Sequence, residues 1–126
     1  MDDVLQMLGT TGLIPVVAID DAANAPKLGE ALVKGGLPCA EITFRTPAAA
    51  ESIREMATAF PEMIVGAGTV LTVTQAAQAV DAGAKFIVAP GFDSGVVGWC
   101  LEHDIPITPG VITPSEISAA IAKGLK

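Results

Sequence analysis

Basic side chains are scarce in this chain. Its 126 residues hold seven Lys and Arg against fourteen Asp and Glu, a formal net charge of -7. No basic stripe exists to neutralise phosphates, which argues against a nucleic-acid partner. The same deficit argues against an anionic membrane surface. Charged residues of both signs make up only 17% of the chain, so the surface is economical in polar groups or partly covered by another subunit. Long apolar runs are missing as well. Gly, Pro or a charge interrupts each of them well before 18 residues, and no transmembrane helix is expected. The N-terminus, "MDDVLQMLGTTG", lacks the positive stretch of a signal peptide, which predicts a cytoplasmic protein. Cysteine is limited to Cys39 and Cys100, far apart in sequence. They read as buried free thiols in a reducing compartment, not as a disulfide or a metal pair. His103, the one histidine, has no metal-ligand spacing to any partner and suits a helix C-terminus. Trp99 beside it reads as a packing or interface residue. Neither a metal nor a cofactor is expected.

What is present is a strand and a helix, five times over. The strand candidates are "LIPVVAI" (13–19), "CAEITFR" (39–45), "MIVGAGTV" (63–70), "KFIVAPG" (85–91) and "PITPGVI" (106–112). Amphipathic helices run between them, with apolar stripes at Ala25, Leu28, Leu32 and Val33, and at Ala49, Ile53, Met56, Ala57 and Phe60. Thr46-Pro47 and Thr113-Pro114 each offer a Thr N-cap before a Pro at the first helical position. Thr72 and Gln75, like Thr113 and Glu116, have capping-box spacing. Glycines in "KGG", "AGA" and "KGL" supply the stop signals. A short helix over 3–8 precedes the first strand. Nothing divides the chain, so residues 1–126 are expected to form one domain.

Such alternation means right-handed βαβ units and a parallel sheet. Two architectures compete. Five strands would complete an open doubly wound sheet. They would be a fragment of a (β/α)8 TIM barrel, which needs about 250 residues. Length favours the open sheet; the strand faces favour the barrel. In "AEITFRT" (40–46), Ile42 and Phe44 share one face, while Glu41, Thr43 and Arg45 share the other. A doubly wound sheet would bury that polar row under a helix. A barrel turns it inward, with Arg45 at the upper end where active sites lie and Glu41 deeper.

Glu41 and Arg45 admit two readings. They form a structural ion pair along the strand, or Glu41 is a general acid/base and Arg45 clamps an anionic substrate. "GAGT" (66–69) fits neither common phosphate-binding glycine pattern. Its glycines are expected to open space in the barrel interior, with Thr69 offering a hydroxyl to a ligand. "APG" (89–91) and "TPGV" (108–111) mark tight strand exits that also shape a pocket floor.

Taken together, "EITFRT", "IVGAGTV", "FIVAPG", "ITPGVITPSE" and the closing "GLK" resemble the bacterial 2-keto-3-deoxy-6-phosphogluconate aldolase / 4-hydroxy-2-oxoglutarate aldolase family. The resemblance runs the length of the chain, with the motifs in order. It implies a (β/α)8 barrel, a homotrimer, and a metal-independent class I aldolase that releases pyruvate from a small keto acid. The glutamate matching Glu41 would be the acid/base, and the arginine matching Arg45 would hold the pyruvyl carboxylate. Thr69 and Pro90 match positions lining the pyruvate pocket.

Class I chemistry also needs a lysine to form a Schiff base. Lys27 and Lys34 fall on the helix after the first strand, Lys123 on the one after the fifth, and Lys85 at the foot of the fourth strand. Lys126 ends the chain. In the family that lysine lies just past a "GLK" like this one, in a "KFFP"-like strand. The expectation is therefore the first five βα units of such an aldolase, inactive alone and without the phosphate site of the last strands. The alternatives are a non-catalytic α/β fragment, an open-sheet domain binding a small carboxylate, or a sibling aldolase acting on the galactonate analogue.

Overall fold

Alternating strands and helices begin immediately after an N-terminal helix. The computed structural model describes residues 2–125. Its elements are α1 (Asp2–Thr11), β1 (Val16–Val17), a 3-10 turn (Ala22–Asn24), α2 (Ala25–Lys34), β2 (Cys39–Thr43), α3 (Ala49–Ala59), β3 (Ile64–Gly68), α4 (Val73–Asp81), β4 (Ile87–Ala89), α5 (Ser94–Glu102), β5 (Ile107–Pro109) and α6 (Pro114–Ala122). Lys126 lies outside the described residues.

All five strands pair in parallel in the order β1-β2-β3-β4-β5. A doubly wound sheet reverses its order at a switch point. This one does not, so the open-sheet alternative falls. The chain is α/β and supplies five consecutive units of a (β/α)8 barrel.

Each strand lies inside its expected segment but is shorter. β1 has a partner on one side alone, and Pro15 can only accept, taking the Glu41 N–H at 2.8 Å. Pro106 and Pro109 bound β5 in the same way. β2 ends at Thr43, so Arg45 stands two residues past the strand in a turn and not on its last rung. The Phe44 N–H still donates to the Gly68 carbonyl at 2.8 Å, which fixes the direction in which that turn leaves the sheet.

The sheet's two faces bury different residues. Ala40, Ile42, Val65, Ala67 and Ile87 pack outward against Ile53, Met56, Ala76, Val96 and Val97 of the helices, with Phe44 half-buried at the margin. On the inner face, Cys39, Ile64 and Phe86 meet Leu8 and Val4 of α1, which plugs the foot of the barrel. The stripe on α3 is buried or half-buried as expected. On α2, Val33 is exposed, and the buried position is instead Gly29. A side chain there would collide with the Phe60 ring, so close helix packing sets that face.

Caps divide. Thr113 and Glu116 form the expected capping box. Thr72 caps α4 through the Gln75 N–H, while the Gln75 carboxamide accepts from Leu71. Thr46 does not cap α3, which starts at Ala49. Its hydroxyl donates to the Ile19 carbonyl instead, tying the exit of β1 to the exit of β2. Gly36, Gly83 and Gly124 end their helices with positive φ.

Candidate active site

Glu41 projects from the middle of β2 onto the inner face. It pairs with Val16 on one side and Gly66 on the other. The residue is 8% exposed, yet its carboxyl receives no hydrogen bond or ion pair from the described residues. Arg45 is exposed and lies beyond 4.0 Å, so the structural ion-pair reading fails. Its guanidinium still acts at longer range. Burial pushes the Glu41 proton affinity above the ordinary glutamate value, and the Arg45 charge partly opposes it. Arg45 also borders an open groove of about 680 Å³ between α3 and α4, with Pro47, Arg54, Gln75 and Asp81. Glu41, Thr69 and Pro90 do not line that groove, so it is no substrate pocket for the predicted set.

The glycines of β3 explain where the carboxyl goes. A methyl at Gly68 would stand 1.8 Å from Glu41 Oε1 and 2.6 Å from Cδ. The missing side chain of Gly68 is thus the space the carboxyl occupies. The glycines of "GAGT" do not leave open space: the Phe86 ring fills the place beside Gly66, and the Glu41 carboxyl fills the one beside Gly68.

Thr69 follows directly, half-buried, with φ at +56°. Left-handed backbone is unusual for a β-branched residue and costs roughly 1–3 kcal/mol. The strain sits where β3 leaves the sheet. Pro90 is exposed just past β4. The Gly110 N–H donates to the Ala89 carbonyl at 2.8 Å, and a methyl at Gly110 would lie 2.3 Å from the Pro90 oxygen. The exits of β4 and β5 are therefore drawn together by a residue that had read as a simple turn glycine.

Thr43, fully buried at the end of β2, donates to the Val17 carbonyl at 3.0 Å. It belongs to the polar row but its hydroxyl is committed to the fold. Lys85 is committed too. Its ammonium donates to the Pro61 and Met63 carbonyls at 2.8 and 2.9 Å, at the foot of β3 and away from the strand exits. Lys27 and Lys34 lie on α2, the latter paired with Glu30, and Lys123 caps the end of α6. None of these four lysines stands at a strand's upper end.

Cys39 and Cys100 are buried and unpaired. Burial raises both thiols, Cys100 to about 11, so neither is a nucleophile near neutrality. His103 stacks on Trp99 with ring centroids 4.1 Å apart and directs Nδ1 to the Trp99 carbonyl. Among the described residues no group of three or more His, Cys, Asp or Glu could hold a metal ion. Among the described residues no helix is long and apolar enough to cross a membrane.

This fold occurs in known proteins. The family profile for KDPG and KHG aldolase matches residues 4–126. The 2-dehydro-3-deoxy-phosphogluconate aldolase of Treponema pallidum is 44% identical over 125 residues, 99% of this chain and 60% of that protein. The 2-keto-3-deoxy-6-phosphogluconate aldolase of Zymomonas mobilis ZM4, solved with 3-phosphoglycerate, superposes with a TM-score of 0.91 at 36% identity. The match covers 99% of this chain and 59% of that one. The KDPG aldolase of Legionella pneumophila, solved with pyruvate as a covalent carbinolamine, gives 0.84 at 37% identity, covering 88% and 54%. The chain thus spans about 60% of the length of such relatives. It belongs to the KDPG and KHG aldolase family.

Proposed function

We propose that this chain carries the acid/base wall of a class I aldolase. The enzyme would cleave 2-keto-3-deoxy-6-phosphogluconate, and 4-hydroxy-2-oxoglutarate, to pyruvate plus an aldehyde. The observation that carries the reading is the Glu41 carboxyl, nearly buried, unbonded and on the inner face. Both of its oxygens are left for a reacting molecule.

In the proposed reaction a lysine amine attacks the C2 carbonyl of the keto acid to give a carbinolamine. Loss of water leaves the iminium. Removal of the C4 hydroxyl proton then breaks the C3–C4 bond, and its electron pair passes into the iminium as an enamine. Protonation of C3 and hydrolysis release pyruvate. Glu41 would give and take the proton at each of these steps. Arg45 would meet the substrate carboxylate, with Thr69 and Pro90 at the margin of the pyruvate pocket. The amine would come from chain beyond residue 126, where the resemblance puts the family's lysine; Lys27, Lys34, Lys85 and Lys123 are placed away from the strands' upper ends. A homotrimer in the cytoplasm completes the proposal, resting on the resemblance alone.

Two measurements test it. Borohydride treatment with pyruvate should leave the 126-residue chain unmodified; an adduct on any of its lysines would overturn the division of labour. In the protein extended by the C-terminal portion its relatives possess, Glu41→Gln should lower kcat by about 10²–10⁴-fold. Arg45→Ala should mainly raise KM, since it meets a charge present in ground and transition states alike. A kcat within a few-fold of the parent for Glu41→Gln would sink the reading.

A further inference from the structure

The inner wall poses a question the acid/base role leaves open. A proton shuttle must be held in place, and a carboxylate is ordinarily held by donors. Glu41 receives no hydrogen bond or ion pair from the described residues, and Arg45 does not touch it. Shape must therefore supply the restraint.

The shape is specific. Gly68 pairs with Thr43, two residues beyond the Gly66 that faces Glu41 in register, so the Glu41 side chain leans along the wall toward the mouth. A methyl at Gly68 would stand 1.8, 2.6 and 2.8 Å from Oε1, Cδ and Cγ of Glu41, so three successive atoms fill its place. Gly68 has no positive φ. Its backbone is one that any residue adopts, so the fold does not need glycine there for conformation. Gly66 is occupied in the same manner by the Phe86 ring, 2.3 Å from where its methyl would be. That ring closes the next step down and leaves the Gly68 space as the one that receives the acid.

We propose that Gly68 is the positioning residue of the acid: the side chain it lacks is the niche that seats the Glu41 carboxyl, leaving its oxygens free for proton transfer. The catalytic half of this statement rests on the proposed function; the seating does not. Donors would hold the carboxylate form preferentially and weaken it as a base. A steric niche restrains both protonation states alike, which suits a group that must alternate between them.

The test is a carboxyl ¹³C NMR titration of the 126-residue chain, with the Glu41 signal identified by its loss in Glu41→Gln. In the parent it should titrate above the ordinary glutamate value of 4.5, as burial demands. In Gly68→Ala the methyl should displace the carboxyl toward water, and the midpoint should fall toward 4.5. An unmoved midpoint in a folded Gly68→Ala protein overturns the proposal. If Gly68→Ala does not fold, the double variant E41A/G68A decides. With the atoms beyond Cβ of Glu41 removed, the methyl fits, and the double variant should fold and melt as Glu41→Ala does. A double variant no better than Gly68→Ala would mean the space serves another neighbour. The titration stands apart from the chemistry: full activity of Glu41→Gln would sink the acid/base reading, and an unmoved midpoint would sink the niche.

Discussion

The Phe86 ring occupies the position that a side chain on Gly66 would take, so β3 and β4 meet there by substitution of one residue's atoms for another's. Phe86 is 2% exposed and reaches Leu8 of the N-terminal helix, so this contact links the sheet to the plug at the barrel's foot. Gly66→Ala should therefore destabilise the chain by about 1–3 kcal/mol through overpacking. Urea unfolding measures it. Adding Phe86→Leu should recover part of the loss, and a neutral Gly66→Ala would show that the ring moves aside freely.

Ser52 carries the opposite error, a polar atom with nothing to bond. It is fully buried on α3, and its hydroxyl has no partner among the described residues. Ser52→Ala should raise the unfolding free energy by about 1 kcal/mol, from the lost desolvation penalty and the better helix propensity. A loss of stability would mean the hydroxyl has a partner in solution.

Thr69 is strained where β3 ends. Thr69→Gly frees the left-handed backbone, and the chain should be as stable or up to about 1 kcal/mol more stable. On the proposed placing of Thr69 at the pyruvate pocket, the protein extended by its relatives' C-terminal portion should also lose pyruvate affinity with the hydroxyl, as followed by ligand-detected NMR. A glycine variant less stable than the parent by more than about 1 kcal/mol would show that Thr69 contributes packing which outweighs its strain.

The pH dependence has a sign that can be worked out. Burial raises Glu41 above 4.5, so the folded chain holds its proton more tightly than the unfolded one. That contribution is present below 4.5 and lost as pH rises through the folded-state value. Glu41→Gln cannot titrate, so its stability relative to the parent should grow across that window and then level off. Glu116 behaves oppositely, because the Ile112 and Thr113 N–H groups hold its carboxylate low. Its contribution is present above 4.5 and lost as pH falls. Urea midpoints across pH for both Gln variants separate the two.

Much of this was legible in the sequence, for a physical reason. Alternation in "AEITFRT" put Glu41 opposite Ile42, and a sheet whose outer face is buried by helices leaves Glu41 only the interior. Strand-helix periodicity gave the parallel sheet, and the polar row chose between two architectures. The misses share a cause. Thr46 looks like a cap from its neighbours in sequence, but the Ile19 carbonyl, 27 residues away, claims its hydroxyl. Arg45 looked like a strand residue until the Phe44–Gly68 hydrogen bond turned the chain. The fit of Glu41 into Gly68 joins residues 27 positions apart in number, and no local pattern reports it. A glycine facing a polar strand residue was the available hint.

The strand order has a consequence for how the molecule is made. Among the described residues each strand pairs with the one completed just before it, so none of these pairings waits for a distant segment. Pairing neighbouring units closes shorter loops than a reversed strand order would, at a smaller cost in loop entropy. As synthesis proceeds from the N-terminus, β1, β2 and β3 can assemble as soon as they emerge. Glu41 and Gly68 both belong to that first portion. The acid would be in its place on the nascent chain before the later units have left the ribosome.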